Sequence, residues 1–178
     1  MSMFAIASQV VTGNTTNTIT FNNIPQTYAH LEIKSFIPNS SANSGGVGNI
    51  WWYPNGAALS NGTIHEMNTN VVSSVTSGAA TGLPWVRTGY QNYSAAFPIV
   101  SVSTVLDYSS TVKFKTAKYV GGSDTNANTN PYLQIGSGLI QTNSPITSMT
   151  FGIDNGYFAA GTRIDLYGIN VAPTVTGV

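Results

Sequence analysis

No window of this chain carries an apolar stripe at i, i+3, i+4 and i+7 with Ala, Leu, Glu and Lys around it, the pattern of an amphipathic helix seated on a core. Short runs in which apolar and polar residues alternate recur instead. A period of two suits only a half-buried strand, so this pattern constrains the fold more than any other feature. His30–Phe36 alternates strictly, with Leu31, Ile33 and Ser35 on one face. Thr111–Ala117 alternates as well, which predicts Val112 and Phe114 inward and Lys113 and Lys115 outward. Further strand-like runs are Phe4–Val11, Thr18–Phe21, Ile50–Tyr53, Pro98–Leu106, Tyr132–Ile135, Ile146–Phe151 and the last run, within Gly161–Val171. Clusters of Gly, Asn, Ser and Pro, such as Pro54-Asn55-Gly56, separate them in the manner of turns.

Roughly eight to ten such runs with no helix between them predict an all-β chain, an antiparallel jelly-roll-like β-sandwich with long aromatic-rich loops. A length of 178 residues suits one domain over 1–178. No internal repeat is present. Residues 45–93 read as an irregular, aromatic-rich excursion from the sandwich. Residues 1–9 read as an N-terminal arm whose β pattern suits strand addition to a neighbour's edge. In Gly161–Val171, Ile164 and Leu166 share one face, and Arg163, Asp165 and Tyr167 the other, so the charges point away from the core. Gly168 breaks the alternation, and a bulge there would return Ile169 and Val171 to the core face.

Only 7% of residues are charged, with Lys+Arg 6 against Asp+Glu 6. Ser, Thr and Asn, about a third of the chain, must supply most of the polar surface. Such a surface offers no basic patch for nucleic acid and no polybasic segment for a membrane. Weak charge repulsion favours association over free monomers. Cysteine is absent, so no disulfide framework exists. The start, MSMFAIASQVV, lacks the basic residues of a signal peptide, which fits synthesis and assembly in the cytoplasm.

Reaction chemistry finds no footing in the sequence. Asp124, Asn126 and Asn128 have the spacing of a calcium loop, but Thr129 stands where the turn glycine belongs and Ile135 where the bidentate glutamate belongs. His30 and His65 are far apart and show no zinc-ligand spacing. Asp107, Asp154 and Asp165 fall near strand ends, with nothing to pair them as acid and base. The expectation is therefore no catalytic residue, no metal and no cofactor. The aromatics are the better candidates. Trp51, Trp52 and Tyr53 are consecutive and cannot all face one side, and Trp85, Tyr90 and Tyr93 follow in the irregular stretch. With Phe4 and Ile6 of the arm, they form the expected interface set.

Three segments resemble small phage virion proteins. Ile24-Pro25-Gln26-Thr27-Tyr28-Ala29-His30-Leu31 is similar to an IP-x-TY-x-HL segment of that family. Asp107-Tyr108-Ser109-Ser110-Thr111-Val112-Lys113 is similar to its DYSS-x-x-K segment, and Gly161–Ile169 resembles its C-terminal LYG(I/L) ending. The central NGD…NY segment is not matched, since Asn55-Gly56-Ala57 and Asn61-Gly62-Thr63 lack the aspartate. The resemblance implies a β-sandwich structural protein of the virion. The expected function is capsid decoration: a cement protein, as a homotrimer, on the major capsid protein at the virion surface. The alternative is a tail or fibre-tip module that binds a receptor glycan.

Overall fold

The computed structural model describes residues 2–13, 16–38, 47–56, 62–71, 74–81, 86–92, 98–123, 132–153 and 156–170, with backbone alone for 47–49, 69–71, 74–81, 86–92, 123 and 132. Twelve strands account for most of them: β1 (Ser2–Val10), β2 (Thr18–Phe21), β3 (His30–Ile37), β4 (Val47–Pro54), β5 (Gly62–Val71), β6 (Ser74–Thr81), β7 (Val86–Asn92), β8 (Ile99–Leu106), β9 (Lys115–Ser123), β10 (Tyr132–Ile140), β11 (Met149–Ile153) and β12 (Arg163–Asn170). All pairings are antiparallel. The large sheet runs β1-β12-β3-β8-β9-β10-β5-β6, and the small sheet β2-β11-β4-β7.

Setting aside the hairpins β5–β6 and β9–β10 leaves two four-stranded sheets, β1-β12-β3-β8 and β2-β11-β4-β7. That is the strand order of a jelly roll, two interlocked Greek keys. The protein is thus an all-β sandwich of the expected class. The two hairpins extend the large sheet beyond β8, and β7 of the small sheet lies against that extension.

The core fills the space between the sheets. Phe21 and Phe151 meet edge to face at 5.9 Å, and Trp52 lies 6.5 Å from Phe151. Leu31, Ile33, Val105, Ile164 and Leu166 close the core from the large sheet, as the alternation of β3 and β12 requires. Each such side chain contributes about 1.5–3 kcal/mol by leaving water.

Four expectations need correction. Residues 2–9 are not a free arm: β1 is the edge strand of the large sheet, paired with β12 of its own chain. The described residues within 45–93 are not irregular, because β4 and β7 belong to the sandwich and β5 and β6 to its extension. Strands such as SVTSGAAT carry too few large apolar residues for a period of two to show. The bulge lies in β1, between Ala5 and Ala7, not at Gly168. It turns both Ile6 and Ala7 onto the core, while β12 pairs with β3 in unbroken register through Gly168.

The fourth correction concerns Thr111–Ala117. Val112 is 80% exposed and Phe114 50%, whereas Lys115 is fully buried. Lys115 Nζ donates to the carbonyl oxygens of Ser110 (2.7 Å), Thr142 (2.9 Å) and Lys113 (3.2 Å). Three acceptors in one place hold the ammonium inside and tie the 107–114 loop to the one that follows β10. β9 starts only at Lys115, so the alternation read from Thr111 is one of loop residues.

Candidate functional site

The segments Ile24–Leu31 and Asp107–Lys113 meet the Gly168–Ile169 end of β12 at one end of the sandwich, and their residues hold one another. Tyr28 lays its ring over Gly168, where a β-carbon would stand 2.2 Å from the ring. Phe4 stacks on Tyr28 with centroids 5.9 Å apart. Gln26 Nε2 donates to the carbonyls of Ile24 and Ile146, each at 2.9 Å. The Ala29 N–H donates to Ile169 O at 2.9 Å. Tyr108 is wholly buried and its hydroxyl donates to Pro25 O. Burial pushes the Tyr108 pKa above its ordinary value. These motif residues therefore specify the fold's closure.

The polar groups at this end do not form a reactive set. A catalytic triad needs a histidine Nδ1–H donating to a carboxylate. His30 Nδ1 instead accepts the backbone N–H of Asp107 at 3.0 Å, and the Asp107 carboxylate oxygen stands 3.9 Å away. Asp107 sits at φ 53 and pairs with Lys113 at 3.3 Å. On β12, Asp165 accepts from Arg163 Nε at 2.9 Å. Burial works against the Asp165 carboxylate, but the Ser8 hydroxyl, Arg163 and Lys34 outweigh it and hold its pKa below the usual value. Among the described residues, no three His, Asp or Glu side chains gather as a metal site. Asp124, Asn126, Asn128 and Asp154 lie outside the described residues.

The expected interface aromatics are divided by the sandwich. Trp52 has no exposure and belongs to the core, so it is not a surface anchor. Its neighbours Trp51 and Tyr53 lie on the other face of the small sheet, half-buried, with rings stacked at 5.3 Å and 19°. Trp51 lies over Gly152, where a β-carbon would come within 2.2 Å of its ring. Phe4 is 45% exposed, and Ile6 packs against the core from its bulge. Tyr90 falls in β7 opposite Asn49, with its side chain outside the described residues; Trp85 and Tyr93 lie outside them altogether.

Among the described residues, an extended apolar surface lies where the sequence did not single one out. On the outer face of the large sheet, Val102, Val120, Ile135 and Met67 stand opposite one another across β8, β9, β10 and β5. Each is 38–48% exposed. The adjoining row on the same face adds Phe36, Val100 and Leu133, each 45–54% exposed. On the other side runs a polar row of Thr104, Lys118, Ser137 and His65. A trough of about 850 Å³ lies along the Val102 row and this polar row. Beneath it, on the inner face, Glu66 accepts from Gln134 Nε2 (2.7 Å), Tyr119 Oη (2.9 Å) and Asn68 Nδ2 (3.3 Å). These bonds pin β5, β9 and β10 in register and make the trough floor rigid.

No family model matches this chain, and no curated protein is similar to it. Among solved structures, a protein of unknown function from Shewanella oneidensis MR-1 aligns over 98% of this chain and 77% of its own, at 10% identity and a TM-score of 0.24. A likeness that slight carries no argument about fold or function.

Proposed function

We propose that the protein is a structural subunit of a phage virion, a decoration protein seated on the outside of the capsid through the outer face of its large sheet. The observation that carries this is the contiguous apolar surface of β3, β8, β9, β10 and β5, on a chain with almost no charge to keep copies apart. Free monomers rarely expose so continuous a patch, and such patches mark interaction surfaces. The resemblance of the three segments to virion proteins supplies the setting. The partners in this reading are the major capsid protein and further copies of this chain as a homotrimer, which suits the three-fold positions of an icosahedral shell. Assembly takes place in the host cytoplasm, and the final location is the capsid surface.

Purified capsids lacking the protein provide the test. Wild type should co-sediment with them at a simple ratio to the capsid protein. Ile135→Asp should fold normally, because the position is exposed, and fail to bind. Binding by the variant equal to wild type would reject the reading. The stacked Trp51–Tyr53 pair favours a second reading, a tail-tip module that stacks a sugar ring. Under that reading, the protein labels host cells, and Trp51→Ala abolishes the labelling.

A further inference from the structure

We infer that the trough takes an amphipathic helix of a partner protein, with acidic residues along the flank that meets Lys118 and His65. The inference rests on the docking role proposed for this face and names the chemistry of what docks.

The occupant's backbone decides its form. Every floor strand has neighbours on both sides, so the face offers side chains and no free backbone groups. A segment lying on it must satisfy its own N–H and C=O groups, which a helix does and an extended peptide does not. The floor crosses four strands, about 14 Å at a spacing of ~4.8 Å. A helix of about ten residues has that length.

Charge decides its polarity. Towards β12 the charges on this face neutralise one another: Arg163 with Asp165 at 2.9 Å, and Lys34 with Glu32 at 3.4 Å. Lys118 stands on the polar row, and among the described residues its side chain makes no hydrogen bond or ion pair; the same holds for the His65 side chain. An apolar strip bordered on one side by an unpaired ammonium and an imidazole fits a helix with an apolar face and carboxylates on one flank. The same apolar and polar rows on a second copy hold no carboxylate to meet Lys118, which argues against self-stacking.

The test uses two synthetic peptides that share one leucine face and carry either glutamate or lysine along the flank, measured by fluorescence anisotropy against the full chain. The acidic peptide should bind about fivefold or more tightly than the basic one, with the difference shrinking as salt is added. Lys118→Glu should reverse the preference, and Ile135→Asp should abolish binding of both. Equal binding of the two peptides, no binding of either, or a concentration-dependent dimer that Ile135→Asp dissolves would each overturn the inference. The docking role fails separately. If capsid binding needs Ile135 but ignores Lys118→Glu, the inference alone is wrong. If the peptides obey the charge rule and capsids do not bind, the capsid reading alone is wrong.

Discussion

Replacing Lys115 by methionine isolates what a buried charge does in this fold. The ammonium has no exposure and three carbonyl acceptors at 2.7–3.2 Å. Methionine keeps the length and the apolar stem but removes every donor. Each carbonyl left without one costs about 1–3 kcal/mol. Removing the ammonium also removes its own desolvation cost, which offsets part of this loss. Three such losses less that offset give a net expected destabilisation of about 3–5 kcal/mol. In a chain of this size that lowers the melting temperature by about 6–20 °C. Urea unfolding followed by circular dichroism measures it directly. Lys113→Met is the control: Lys113 is exposed and makes one ion pair, at 3.3 Å, so its loss should change stability by less than about 1 kcal/mol. A Lys115→Met variant as stable as Lys113→Met would show that the three bonds contribute nothing, and the description of this loop would be wrong.

Three further outcomes follow from the packing. Gly168→Ala would drive a β-carbon into the Tyr28 ring and should cost about 1–3 kcal/mol in urea titrations, with Tyr28→Ala in the same chain recovering part of the loss. Trp52→Ala empties the centre of the core and should cost about 3–5 kcal/mol of folding stability, whereas a loss of capsid binding with unchanged melting would contradict its placement. Tyr108 gives a pH signature. Its folded pKa is raised above 10.0, so the folded chain holds this proton at pH values where the unfolded chain has released it. Its contribution is complete below about pH 10 and is lost as pH rises through the raised value; melting temperature should fall more steeply in that range for wild type than for Tyr108→Phe.

The period-two runs of β3 and β12 revealed their faces correctly because Leu31, Ile33, Ile164 and Leu166 alternate with the charged residues Glu32, Lys34, Arg163 and Asp165, which fix the outer side. The outer trough stayed hidden for the opposite reason. In β8 the alternation is Val100-Ser101-Val102-Ser103, and the natural assignment puts valine inside. The structure buries Ser101 and Ser103 and exposes both valines. β9 and β10 repeat the inversion, with Val120 and Ile135 outside and Tyr119 and Gln134 inside. An apolar outer row alternates as cleanly as a core row, so periodicity marks the strand but not which face is wet. The clue was the polar side, since Ser, Gly and Gln recur there in strands that also carry Tyr119. Trp51–Tyr53 posed the same ambiguity, resolved by Gly152, which leaves room only for the Trp51 ring. The Lys115 site depended on a loop conformation that no local pattern encodes.

The central claim is that this jelly roll works as a virion subunit held by the outer face of its large sheet. A cryo-electron microscopy reconstruction of the intact particle tests it most directly. The account requires density for the sandwich on the outside of the capsid, with Val102, Val120, Ile135 and Met67 against a helix of the neighbouring protein. Finding the sandwich at the tail tip, or on the shell with that face turned to solvent, would contradict it.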